Sequence, residues 1–108
     1  MKVKINGLEY TITEVDEIEI ENGNRTIGVT KYITQEILIL NSLSREQKEI
    51  TLKHELCHAF LWTYGFGSIG DNLPVELVCD FVGIYSKQIL DICENYFKQS
   101  DSDSKRTT

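Results

Sequence analysis

The chain has 108 residues, 41% hydrophobic and 26% charged, which is enough for one small domain with a single core. Its 11 basic and 17 acidic residues give a net charge of −6 and argue against binding to nucleic acid, because affinity for phosphate comes from clustered Lys and Arg. No segment approaches the roughly 18 uninterrupted apolar residues of a membrane span. Three cysteines without a disulfide-framework spacing, and a start without an apolar run of signal-peptide length, predict a cytoplasmic protein.

The N-terminal part of the chain has the pattern of a small β-sheet. Apolar and polar residues alternate on both sides of Asn6-Gly7, a dipeptide that tolerates the positive φ angles of a two-residue hairpin turn. Residues 26–33 are rich in β-branched side chains, and 36–40 form a compact apolar run. We expect three or four strands in an antiparallel sheet, with Gly28 suited to a bulge or a close backbone approach.

A first helix is bounded by two cap signals. Ser44 followed by Gln47 fits a capping box, so the helix is expected to begin near Arg45. Gly65 fits a C-terminal cap.

A second helix is expected from Pro74, a natural first helical residue, to about Phe97. Its interior Gly83 costs about 1 kcal/mol against Ala, which predicts a close approach to the first helix at that point. Residues 99–108 are polar and without periodicity, so we expect a disordered tail after a single domain over 1–98. These elements predict an α+β fold in which the small sheet packs with two main helices.

The first helix contains the motif His-Glu-x-x-His at residues 54–58. At about 100° per residue, His54 and His58 lie on one face, and the stripe to which they belong predicts that both imidazoles point into the protein. Two histidines one turn apart, with Glu55 beside them, are typical of a Zn²⁺ site that has its own general base.

Catalytic zinc usually has three protein ligands, so one more is needed from an element that packs against the first helix. The second helix offers Glu76 and Asp80, four residues apart among apolar neighbours. We expect Glu76 to bind the metal and Asp80 to accept a hydrogen bond from the free ring nitrogen of a histidine ligand. Two alternatives stay open: Cys79 as the ligand, and a solvated acidic helix edge.

His-Glu-x-x-His followed by Glu76-x-x-x-Asp80 resembles the gluzincin pattern of thermolysin-like zinc peptidases. Over residues 1–97 the chain is also similar to the small phage-associated ImmA/IrrE-type metallopeptidases and the minigluzincins. The resemblance implies a zincin-like fold, Zn²⁺ held by the two histidines and Glu76, and Glu55 as the catalytic base. It further implies a protein or peptide substrate, such as a cytoplasmic or phage regulatory protein.

The chain departs from the larger gluzincins in one respect. Those enzymes supply an extra His or Tyr that stabilises the oxyanion, and this sequence has no third histidine. Tyr32, Tyr64 and Tyr85 are the candidates, and the sequence does not choose among them.

A substrate strand is predicted from the run at 36–40, because only a few residues separate it from the metal helix. If this strand is the sheet edge, the main chain of Ile37, Leu38 and Ile39 can pair with an extended peptide. In the peptidases that this chain resembles, an edge strand binds the extended substrate. The alternative is an interior strand, which a continuous apolar run also fits.

The leading hypothesis is therefore a zinc endopeptidase. A latent or weakly active zinc-binding regulatory module of the same fold is the alternative, given the small size and the missing histidine. A structural zinc site is disfavoured, because such sites prefer four protein ligands with several cysteines. The sequence leaves the oligomeric state open.

Overall fold

A computed structural model describes residues 1–20, 23–65 and 75–106. Its elements form an α+β fold of one four-stranded sheet and two helices, which confirms the predicted class. In chain order they are β1 (Lys2–Ile5), β2 (Leu8–Val15), β3 (Gly28–Lys31), β4 (Glu36–Leu40), α1 (Arg45–Tyr64) and α2 (Val75–Arg106).

The predicted hairpin joins β1 to β2. Asn6 and Gly7 both have positive φ, 49° and 86°, as the two central residues of a type I′ hairpin turn require. The strands pair in antiparallel register from Ile5 opposite Leu8 onward.

The sheet has the order β1-β2-β4-β3, and it is mixed rather than antiparallel. β2 and β4 run parallel, with Thr11 opposite Glu36, whereas β3 and β4 are antiparallel. The expectation of an antiparallel sheet was wrong because the chain crosses to the far edge to form β3. It then turns back and inserts β4 beside β2.

This topology also makes β4 an interior strand, so the expectation that Ile37, Leu38 and Ile39 form a substrate-binding edge is wrong. β4 is paired on both sides, by β2 and by β3. Ile37 and Ile39 have no exposed surface and face the helices. The edge nearest to α1 is β3.

α1 has the predicted ends. The Ser44 hydroxyl accepts a hydrogen bond from the Gln47 N–H at 3.2 Å, and Gly65 ends the helix with a φ of 103°. Each cap satisfies main-chain groups that a helix end leaves unpaired.

α2 extends beyond its predicted end near Phe97. Gln99 to Arg106, expected to be a disordered tail, continue the helix. Asp101 binds the Arg45 guanidinium through two contacts of 2.8 and 3.0 Å. At the other end, Pro74 lies outside the described residues.

Gly83 does not mark a close approach between the helices. A Cβ built on this residue meets no atom within 4 Å, so the predicted helix contact at Gly83 is wrong. The glycine lies on an exposed part of α2.

The core forms where α1 packs on one face of the sheet and α2 packs on α1. Its fully buried side chains from the strands and α1 are Ile5, Tyr10, Ile37, Ile39, Leu52, Leu56, Ala59 and Phe60. α2 contributes buried side chains to the same cluster, among them Phe81, Tyr85, Ile89, Tyr96 and Phe97. Neither described helix contains a stretch long and apolar enough to cross a membrane.

Candidate active site

The two histidines converge on one point at the side of α1. The Nε2 atoms of His54 and His58 are 3.1 Å apart, with the ring planes at 73°. Two nitrogens bound to one tetrahedral Zn²⁺ at about 2.0–2.1 Å would be roughly 3.3–3.4 Å apart, so small ring rotations would accommodate the ion. Both imidazoles are exposed, which corrects the expectation that they point into the protein. The buried stripe of α1 lies beside them, at Leu52, Leu56 and Phe60.

Glu55 is buried next to these exposed histidines, with 7% of its surface accessible. The Thr30 hydroxyl lies 2.8 Å from Glu55 Oε1 and 3.0 Å from the Glu55 carbonyl oxygen. The carboxylate is thus held between α1 and β3.

Gly28 is what allows α1 and β3 to approach so closely. A Cβ at this position would lie 2.5 Å from Thr51 Cγ2 and 3.2 Å from Glu55 Oε2. The close backbone approach predicted at Gly28 is confirmed, and it brings the edge strand against the helix that carries the motif.

A cleft of about 340 Å³ opens between β3 and the motif. Its walls are formed by residues of three kinds: the motif residues of α1, the residues of β3 and the turn after it, and a side chain from the connection before β3. They include His54, Glu55, His58, Gly28, Thr30, Tyr32 and Ile20.

Among residues 1–20, 23–65 and 75–106, no strand pairs with the outer edge of β3, which presents main-chain groups to this region. The Leu40 N–H donates to the Ile27 carbonyl at 3.0 Å, and hydrogen-bonded pairs alternate along an antiparallel ladder. With Gly28 opposite Ile39 in the register, the N–H and C=O groups of Gly28 and Thr30 point away from β4. The Thr26 hydroxyl donates to the Gly28 carbonyl at 3.3 Å.

Of the three candidate tyrosines, Tyr32 lines the cleft. Burial, and then the nearby charge of Glu55, raise the pKa of the Tyr32 phenol, so it stays a protonated hydrogen-bond donor at neutral pH. Tyr64 and Tyr85 instead pack edge to face at 5.5 Å, and the Tyr85 hydroxyl donates to Asn6 Oδ1 at 3.3 Å.

The third metal ligand is not brought to the histidines within the part of the chain that the structure describes. No group of three or more His, Cys, Asp or Glu side chains that could hold a metal ion occurs among those residues. Glu76, Cys79 and Asp80 are exposed on the first turns of α2. The buried Tyr85 is nine positions after Glu76, which at about 100° per residue places the two on opposite sides of the helix axis. The roles of Glu76 and Asp80 stay predictions.

A second, larger cavity of about 540 Å³ lies between α1 and α2. Arg45, Lys53, Glu49 and Asp91 are among the charged groups around it, and neither histidine lines it. The smaller cleft is the better candidate because all three residues of the motif, His54, Glu55 and His58, line it.

Sequence reasoning missed Thr30. A threonine in a β-branched run looks like an ordinary strand residue, and its contact with Glu55 depends on the topology that puts β3 at the edge. The available signal was its spacing from Gly28, since residues i and i+2 of a strand share a face.

Compared with models of known protein families, with curated proteins and with solved structures, the chain finds no match in any of the three. The zincin-like classification therefore stays a prediction from the motif.

Proposed function

We propose that the protein is a zinc-dependent endopeptidase. The observation that supports it best is the convergence of the His54 and His58 Nε2 atoms at 3.1 Å beside the buried Glu55 carboxylate, in a cleft bordered by a sheet edge. A histidine pair supplies metal ligands, a carboxylate supplies a base, and the cleft gives a peptide access to both.

His54 and His58 would hold the ion, with Glu76 as the predicted third ligand. When bound, zinc supplies Lewis acidity for a carbonyl and lowers the pKa of a water ligand toward about 7. Glu55 accepts a proton from the attacking water and returns it to the nitrogen of the leaving amine. Its contact with Thr30 leaves Oε2 as the oxygen without that hydroxyl bond.

The proposed substrate is an extended segment of a protein, and the resemblance suggests a cytoplasmic or phage regulatory protein. β3 takes over the role first expected of β4, because Gly28 and Thr30 direct main-chain groups outward at the cleft. An extended peptide can pair with such an edge and lie beside the histidines. Methylating the peptide nitrogens that pair with the Thr30 carbonyl should raise KM and leave unrelated positions of the peptide unaffected.

A latent regulatory module of the same fold is the second candidate. It is favoured by the exposed position of Glu76 on the face of α2 opposite Tyr85. With two protein ligands a zinc ion is held more weakly, and turnover would be low until a partner or a rearrangement completes the site.

The test is metal analysis combined with proteolysis of native and denatured candidate substrates. Glu55→Gln removes the base but no expected ligand, so zinc content should persist while hydrolysis falls by at least about 100-fold. Glu46→Gln, an exposed glutamate in the first turn of α1, is the matched control. Wild-type protein that binds one zinc but cleaves nothing would favour the latent module; protein that binds no zinc contradicts both candidates.

A further inference from the structure

Thr30 is the single described side chain that hydrogen-bonds the Glu55 carboxylate. A threonine hydroxyl has one proton to donate, and two oxygens of Glu55 lie within reach, at 2.8 and 3.0 Å. The nearer one is the side-chain Oε1. A charged acceptor makes the stronger bond, so the proton belongs with the carboxylate.

The surroundings of Glu55 restrict the other ways in which it could be held. The residue is buried, and a Cβ at Gly28 would lie 3.3 Å from its Cγ and 3.2 Å from its Oε2. Gly28 confines the carboxylate by shape, whereas Thr30 supplies the directional contact. A Glu side chain has three rotatable bonds, so one directional contact at its end has a large effect on where its oxygens lie.

Thr30 also has a second connection, through its main chain. Its side chain points to α1, while its N–H and C=O groups point outward from the free edge of β3. A peptide that pairs with this edge therefore contacts the same residue that holds the carboxylate.

We propose that Thr30 is a positioning residue that fixes the Glu55 carboxylate at the histidine pair, from the same strand residue whose main chain would pair with a docked peptide. The inference rests on the proposed endopeptidase function for its kinetic consequence. Its structural part, the hold of Thr30 on Glu55, stands independently of turnover.

The kinetic test uses Thr30→Val, which keeps the branched shape but removes the hydroxyl. A misplaced base costs about 10- to 100-fold, so kcat should fall by that factor while KM and zinc content stay unchanged. Thr30→Ser should restore most of kcat because it keeps the donor. In a Glu55→Gln background, Thr30→Val should cause no further loss.

Thr13→Val is the matched control, because Thr13 is exposed in the same sheet on β2. It should leave kcat and KM unchanged. A Thr30→Val variant that raises KM alone, or that leaves kcat intact, overturns the proposed role.

A measurement without turnover separates this inference from the proposed function. In metal-free protein, the melting temperatures of Thr30→Val, Glu55→Met and the double variant should be non-additive, because either single change removes the same hydrogen bond. Additive losses overturn the hold of Thr30 on Glu55. If wild-type protein cleaves no peptide but the losses are non-additive, the endopeptidase proposal fails and the contact stands.

Discussion

Tyr32 and Trp62 form a stacked pair, with ring centroids 4.3 Å apart and planes inclined by 15°. The pair joins the turn after β3 to the last turns of α1, and Trp62 is 45% exposed. Offset or parallel contact of this kind fixes the plane of the phenol ring. Tyr32 is thereby held in the wall of the cleft. Under the proposed peptidase function, its hydroxyl would donate a hydrogen bond to the developing oxyanion.

We expect Tyr32→Phe to lower kcat by about 10² to 10³, the usual effect of losing one oxyanion donor, with little change in KM. Peptide hydrolysis by the zinc-loaded protein measures both constants. Tyr64→Phe is the control, because Tyr64 packs on Tyr85 rather than lining the cleft. Both changes keep the ring and remove only the hydroxyl, so equal effects of the two would show that the Tyr32 hydroxyl has no special role at the cleft.

The third ligand can be tested by zinc affinity alone. If Glu76 binds the ion, Glu76→Gln should weaken zinc binding severely, and Asp80→Asn should weaken it by roughly 10- to 100-fold through lost orientation of a histidine. Titration with a competing chelator gives both values, with Glu46→Gln as control. If Glu76→Gln leaves the affinity unchanged and Cys79→Ala weakens it, Cys79 is the third ligand. If neither change weakens binding, His54 and His58 are the protein ligands, which favours the latent module.

Local sequence signals were sufficient to predict those parts of the fold in which a short stretch of chain determines its own conformation. Asn6-Gly7 predicted its turn, and Ser44 and Gly65 predicted both ends of α1, because each acts on the main chain next to it. The order of strands in the sheet could not be predicted in this way. The same apolar run at β4 suits an edge strand or an interior one, and only its pairing with β2 and β3 decides.

The candidate site likewise has a part that local sequence predicts and a part that depends on the fold. Helical periodicity alone places His54, Glu55 and His58 together, so the motif could be read from the sequence. The contacts of Glu55 with Thr30 and Gly28 span 25 residues or more and depend on β3 lying at the edge. The position of Glu76 depends on how α2 enters the fold, after residues 66–74, which lie outside the described part of the chain.

The two glycines with opposite surroundings give a paired stability test. Gly28→Ala puts a methyl group 2.5 Å from Thr51 Cγ2, so it should lower the free energy of unfolding by about 1–3 kcal/mol. Gly83→Ala meets no atom within 4 Å and should raise it by about 0.5–1 kcal/mol, through better helix propensity. Urea denaturation of the metal-free variants measures both. A destabilised Gly83→Ala would mean that α2 packs closely there after all.

A partly buried ionic contact joins the sheet to both helices and should make stability depend on pH. Glu14 on β2 accepts hydrogen bonds from Lys48 on α1, at 2.8 Å, and from the Tyr96 hydroxyl on α2. Burial alone would raise the pKa of the Glu14 carboxyl, but the two hydrogen bonds and the Lys48 charge together lower it below its ordinary value. The charged form is therefore favoured in the folded protein.

A carboxyl with a lowered folded-state pKa adds stability above its unfolded pKa of about 4.3, and this contribution is lost as the pH falls through the folded-state pKa. We expect Glu14→Gln to cost about 1–2 kcal/mol at pH 7, and the difference from wild type to shrink toward zero below about pH 4. Denaturant unfolding at a series of pH values measures it. Glu9→Gln is the control, because Glu9 meets Lys2 in an exposed pair at 3.6 Å, and such pairs contribute little. A Glu14→Gln cost that stays constant from pH 7 to pH 3 would mean that the ionised carboxylate is not what joins β2 to the two helices.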